Sequence, residues 1–106
     1  MTYTWDCLVS PSTEHPSKRD SHTCVKLGNK LYIFGGSVNE VIVNELWSFD
    51  LSTYVWRDIR VDPALNAREG HSAVALDHRL MYIYGGWHSE LNEIYNEHWI
   101  FDSDTS

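Results

Sequence analysis

Four short blocks of this chain occur twice, in the same order and at nearly constant spacing. Arg19-Asp20-Ser21-His22 returns as Arg68-Glu69-Gly70-His71, 49 residues on, and Tyr32-Ile33-Phe34-Gly35-Gly36 returns as Tyr82-Ile83-Tyr84-Gly85-Gly86 after 50. Trp47-Ser48-Phe49-Asp50 recurs as Trp99-Ile100-Phe101-Asp102 after 52, and Thr2-Tyr3-Thr4-Trp5 as Thr53-Tyr54-Val55-Trp56 after 51. A period near 50 residues marks a repeat architecture, in which one small unit cannot bury its apolar face alone and stacks on its copies. The extra residues fall between blocks. Insertions of that kind are loop insertions, so the blocks are the structural elements.

Each block reads as a strand. His22–Leu27 is short, contains β-branched and apolar residues, and stops at Gly28-Asn29, a tight-turn signal. Leu31–Phe34 is a continuous apolar run suited to a strand covered on both faces, and Gly35-Gly36 ends it. Leu46–Asp50 and Tyr54–Ile59 supply a third and a fourth strand across the turn Leu51-Ser52-Thr53. Five Trp, six Tyr and three Phe in 106 residues favour sheets over helices. No segment carries a capped 3.6-residue stripe, and residues 37–46 and 87–97, rich in Asn and Glu, read as loops.

The order R-x-x-H, apolar-Tyr-apolar-apolar-Gly-Gly, W-x-F-D and T-x-x-W resembles the kelch repeat, closest to its general R-x-x-H-S/T type, over nearly the whole chain. The resemblance implies an all-β fold: a kelch-type β-propeller fragment of about two four-stranded antiparallel blades. Residues 1–8 then read as the fourth strand of a preceding blade and 9–21 as an inter-blade loop. Residues 22–59 are a complete first repeat, 60–70 a second inter-blade loop, and 71–106 the first three strands of the second repeat. Propellers need roughly four to eight blades to close, so the remaining blades, or other chains, are expected to complete the ring.

A catalytic group is needed once, whereas a blade-packing group is needed in every blade. His22 and His71 repeat and are expected to hydrogen-bond neighbouring blades rather than act as ligands or bases. Repeated Trp, Tyr and Phe are inter-sheet packing. Asp50 and Asp102 are expected to bond the amides of the following turn. Arg19 and Arg68 also repeat. Structure is the first reading for them, and the resemblance, which places this position near the mouth of the central channel, makes them partner-contact candidates. The histidines that do not repeat, His78, His88 and His98, accompany Glu90, Glu93 and Glu97. They lack metal-ligand spacing, and a meander puts His78 and His88 at opposite ends of a blade. Galactose oxidase and the plant specifier proteins share the fold and use metals, but their ligand patterns are absent here. Neither a nucleophile elbow nor a phosphate loop is found. No catalytic, cofactor or metal site is therefore assigned. The competing readings are a piece of a kelch-fold enzyme or metal-dependent specifier whose active residues lie outside this chain, and a truncated fragment without independent function.

A net charge of −7 without a basic run argues against nucleic-acid binding. No apolar run approaches the ~20 residues of a membrane span, and no leader is visible at Met1–Asp6. Cys7 and Cys24 form no framework and read as reduced thiols of an intracellular protein, cytoplasmic or nuclear. Connections alternate between the ends of a meander. The short turns 28–30, 51–53 and 77–79 share one end. The long segments 37–44, 87–96, 9–21 and 60–70 share the other, where recognition of other proteins is expected. Trp87 and Tyr95 are the candidate anchors there, with Arg19 and Arg68 behind them.

Overall fold

Alternating side chains and tight turns dictate hairpins, and the computed structural model, which describes residues 2–104, is built of them. β1 (Thr23–Leu27) turns into β2 (Lys30–Phe34), Leu27 facing Lys30 in the ladder. Gly28 takes a φ of 60°, the left-handed value that such a two-residue turn demands. After two very short strands, β3 (Ser37–Val38) and β4 (Val41–Ile42), β5 (Leu46–Asp50) returns along β2, and β6 (Trp56–Ile59) completes a four-stranded sheet in the order β1-β2-β5-β6. The second unit repeats the plan. β7 (Ser72–Ala75), β8 (Leu80–Tyr84) and β11 (His98–Asp102) form a three-stranded sheet, with β9 (Trp87–His88) and β10 (Glu93–Ile94) inserted between β8 and β11. All pairings between these strands are antiparallel. The expected all-β blade architecture is present, and the two sheets stack without closing a ring.

Two details differ from expectation. Residues 37–46 and 87–97 are not plain loops: they hold the ribbons β3–β4 and β9–β10, whose strands of two residues each are too short to show a period. The fourth strand begins at Trp56 rather than Tyr54, because Tyr54 takes a φ of 63° and closes the turn, stacked on Phe49 with ring centroids 5.6 Å apart. That turn is fastened by Asp50, whose carboxylate accepts the Ser52 and Thr53 amides at 2.8 and 3.1 Å, as expected of it. Asp102 likewise accepts the Asp104 amide at 3.0 Å.

Residues 2–19 carry no strand. The 3–8 stretch, the fourth-strand sequence, lies in solvent without a sheet partner among the described residues, its Trp5 fully exposed.

The core lies between the two sheets rather than within either. Val25, Leu27, Tyr32, Phe34 and Leu46 share one face of the first sheet by register and are buried against Met81 and Ile83 of the second, with Ala73 and Phe101 packed alongside. Tyr32 meets Phe101 at 5.4 Å between centroids. Backbone bonds also cross the gap, from Gly36 N–H to the Arg68 carbonyl at 2.9 Å and from Gly70 N–H to that of Ser21 at 3.0 Å. Gly35 sits where a Cβ would lie 2.7 Å from the Arg68 oxygen and 2.9 Å from the His71 ring, at a φ of 69°. Only glycine lets the second sheet approach this closely.

Candidate partner-binding face

The end of the sheets carrying β3–β4 and β9–β10 is built from one device used twice. In the first blade Arg19 donates through Nη1 to the Gly35 carbonyl at 3.3 Å and through Nη2 to Glu45 Oε1 at 2.7 Å, and the same oxygen accepts Trp47 Nε1–H at 3.3 Å. In the second, Arg68 donates to the Gly85 carbonyl at 3.0 Å and to Glu97 Oε1 at 3.5 Å, which also accepts Trp99 Nε1–H at 3.3 Å. Each planar guanidinium thus ties an inter-blade segment to the Gly-Gly bend and to the start of the third strand. The Arg19 bond holds the Glu45 carboxyl below its ordinary pKa.

Both arginines are therefore internal struts, their side chains 3% and 0% exposed. Tyr95 is drawn into the same device. Its ring lies under the Arg68 guanidinium, 4.2 Å from centroid to Cζ, a cation–π contact. Three of the four residues singled out from the sequence, Arg68, Tyr95 and Trp87, thus meet around the second ribbon, and Arg19 holds the equivalent place in the first.

The ribbons are fixed to this frame by backbone bonds. Asp20 and Ser37 exchange N–H···O bonds at 3.1 and 2.8 Å, Glu69 and Trp87 exchange two at 3.0 Å, and the Val43 and Tyr95 amides donate back to Gly36 and Gly86. Trp87 points outward, 44% exposed, with Ile94 opposite it in the ribbon at 85% and Leu91 at the tip at 60%. Sequence reasoning singled out Trp87 as a candidate but not Ile94 or Leu91. Their signal was two apolar residues in a non-repeating, acidic segment, which is weak without knowledge of the ribbon that aligns them. Glu90 and Glu93 are exposed beside them.

His71 occupies the seam between blades. Its Nε2 lies 2.8 Å from Thr23 Oγ1 and its ring meets Phe34 edge-on at 5.2 Å. Burial first, then the positive charges of Arg68 and His22, push its pKa down to about 4. The other histidines stay apart: His78 in the β7–β8 turn, His88 in β9, and His98 in β11, where Nδ1 lies 3.3 Å from the Tyr82 hydroxyl. Among the described residues no group of three or more His, Cys, Asp or Glu is placed to hold a metal ion. Cys7 and Cys24 are free and exposed.

The chain as a whole is similar to known repeat proteins. The family model described as the KLHDC2/KLHL20/DRC7 Kelch-repeats domain matches residues 1–106. The chain is 34% identical over 112 residues to Kelch domain-containing protein 3 of Rattus norvegicus, covering 95% of this chain and 28% of that protein. It is 31% identical over 107 residues to Kelch domain-containing protein 1 of Mus musculus, covering 99% and 26%. It is 29% identical over 111 residues to the dynein alpha chain of the flagellar outer arm of Chlamydomonas reinhardtii, covering 98% and 2%. The chain spans about a quarter of the length of the two kelch-domain relatives. With the same strands, the same glycine bend and the same Arg–Glu–Trp strut in both halves, the chain belongs to the kelch-repeat family, whose members serve in general as protein-interaction scaffolds.

Proposed function

We propose that this chain binds another protein through the end that bears the two ribbons, with Trp87 as the anchor. One observation carries the reading: β9–β10 is pinned to a buried frame at both strands, yet turns Trp87, Ile94 and Leu91 to solvent. A rigid platform presenting an exposed tryptophan offers contact area at little entropic cost. Glu90 and Glu93 beside it favour a partner segment that carries basic residues around an apolar side chain. The role is binding rather than catalysis. Arg19, Arg68, Glu45 and Glu97 are engaged in the struts. The two free thiols fit a reducing, intracellular setting.

The test is affinity capture with the wild-type chain and with Trp87→Ala, both checked for native circular dichroism. We expect the captured partner to bind at least about tenfold more weakly to the variant, the range of an interface anchor. Undiminished binding would remove the proposal. Tyr95→Ala is the contrasting variant, since its ring works from beneath through Arg68.

A further inference from the structure

The segment 9–21 holds a second device, apart from the ribbons. Of the three prolines in the chain, only Pro11 follows a hydroxyl residue, Ser10. Proline fixes its own φ, removes an amide donor and keeps the residue before it extended. Ser10-Pro11 is therefore poorly suited to a sheet ladder, and residues 2–19 carry no strand. An extended Ser-Pro pair in a strandless segment is the form in which a proline-directed protein kinase reads its substrate.

Ser10 is nonetheless bonded to the first blade. Its hydroxyl lies against the Tyr54 carbonyl, and its Oγ accepts the Ser12 amide at 3.1 Å. Ser12 Oγ lies 3.0 Å from Ser10 Oγ and accepts the Trp56 amide at 2.7 Å. β6 is an edge strand of its sheet, so this clasp of two hydroxyls satisfies its first amide from outside the sheet. The clasp fastens residues 10–12 to the turn that carries Tyr54, while Pro11, Thr13 and Glu14 stay exposed. Trp56, at the clasped position, packs on Phe49 with ring centroids 4.7 Å apart.

We propose that Ser10 is a phosphorylation site and that its modification opens the clasp. The kinase transfers the γ-phosphoryl group of a nucleoside triphosphate. A bond forms from Ser10 Oγ to phosphorus, the bond to the β-phosphate oxygen breaks, the hydroxyl proton passes to the kinase's base, and the nucleoside diphosphate leaves. Ser10 is half-buried in the clasp, so the kinase takes the segment during its local openings, which a few surface hydrogen bonds do little to oppose. The ester oxygen then has no proton to give to the Tyr54 carbonyl. A group of charge about −1.5 to −2 stands instead against the negative end of that carbonyl. The two repel, the segment swings off β6, and the Trp56 amide passes to water. The loosening stops at Arg19, which stays bonded to the Ser17 and Gly35 carbonyls and to Glu45. The frame beneath the ribbons is left as it was.

The test treats the full chain with a purified mitogen-activated protein kinase and magnesium-ATP. The modified residue is mapped by mass spectrometry, and amide exchange is read before and after. Phosphate is expected on Ser10, with labelling at least about tenfold slower in Pro11→Ala. Exchange at the Trp56 amide is expected to rise at least about tenfold on phosphorylation, while the Tyr95 amide keeps its rate. Ser12→Ala, which removes the acceptor itself, gives the rate of the open clasp for comparison. A chain that takes no phosphate on Ser10 would overturn the inference. So would labelling indifferent to Pro11→Ala, or a Trp56 amide unmoved by the modification.

Discussion

A protonated imidazole needs an acceptor for each of its two N–H groups. His71 has Thr23 for Nε2, and its buried Nδ1 has no partner. Arg68 and His22 add positive charge nearby, and the ring stays neutral with a pKa of about 4. Because this value lies below that of an unfolded histidine, the unfolded chain takes up a proton that the folded chain refuses. Stability from this group is complete above pH ~6.5 and drains away as pH falls toward 4. Between pH 7.5 and pH 5 urea unfolding is expected to lose about 2 kcal/mol beyond what carboxylates contribute, and His71→Phe is expected to abolish that portion. The repetition of His22 and His71 was enough to mark them in the sequence as scaffold. It could not distinguish them further, because among the described residues only His71 packs against another blade: the same residue is buried in one copy and exposed in the other.

At the scale of elements, each strut holds a ribbon in place. Removing the Arg68 guanidinium takes the side-chain donor from the Gly85 carbonyl, leaves Glu97 Oε1 with Trp99 Nε1–H alone, and removes the cation packed on the Tyr95 ring. Arg68→Ala is expected to cost about 2–4 kcal/mol in denaturant unfolding. Hydrogen exchange at the Tyr95 amide, bonded to Gly86, should accelerate more than exchange in β8. Equal acceleration everywhere would show that the strut does not act locally. The long strands were legible in the sequence because Leu31–Phe34 and Leu46–Asp50 carry apolar runs between turn signals. The ribbons were not, since Trp87–His88 and Glu93–Ile94 pair with each other over two residues only and are held by the Trp87–Glu69 and Tyr95–Gly86 backbone bonds, which no local pattern announces. The same bonds explain why Tyr95 and Trp87, alike as aromatic residues of one segment, face opposite ways.

For the whole molecule, the apolar centre is shared between repeats, with Val25, Leu27 and Phe34 on one side and Met81 and Ile83 on the other. A chain ending at Asn66 keeps every strand of the first blade but loses the partner of its buried face. Its thermal transition is expected to be broad, with strong binding of a hydrophobic dye, whereas the 106-residue chain unfolds more sharply. A sharp transition in the shortened chain at the same Tm would show that one blade is self-sufficient. The sealing of β1 and β2 by strands that come later in the sequence also has a temporal side. During translation, at about 5–20 residues per second, Phe34 leaves the ribosome several seconds before Ile83 arrives to meet it. For that interval the nascent first blade displays a bare greasy plane, the face on which Val25, Leu27 and Phe34 lie.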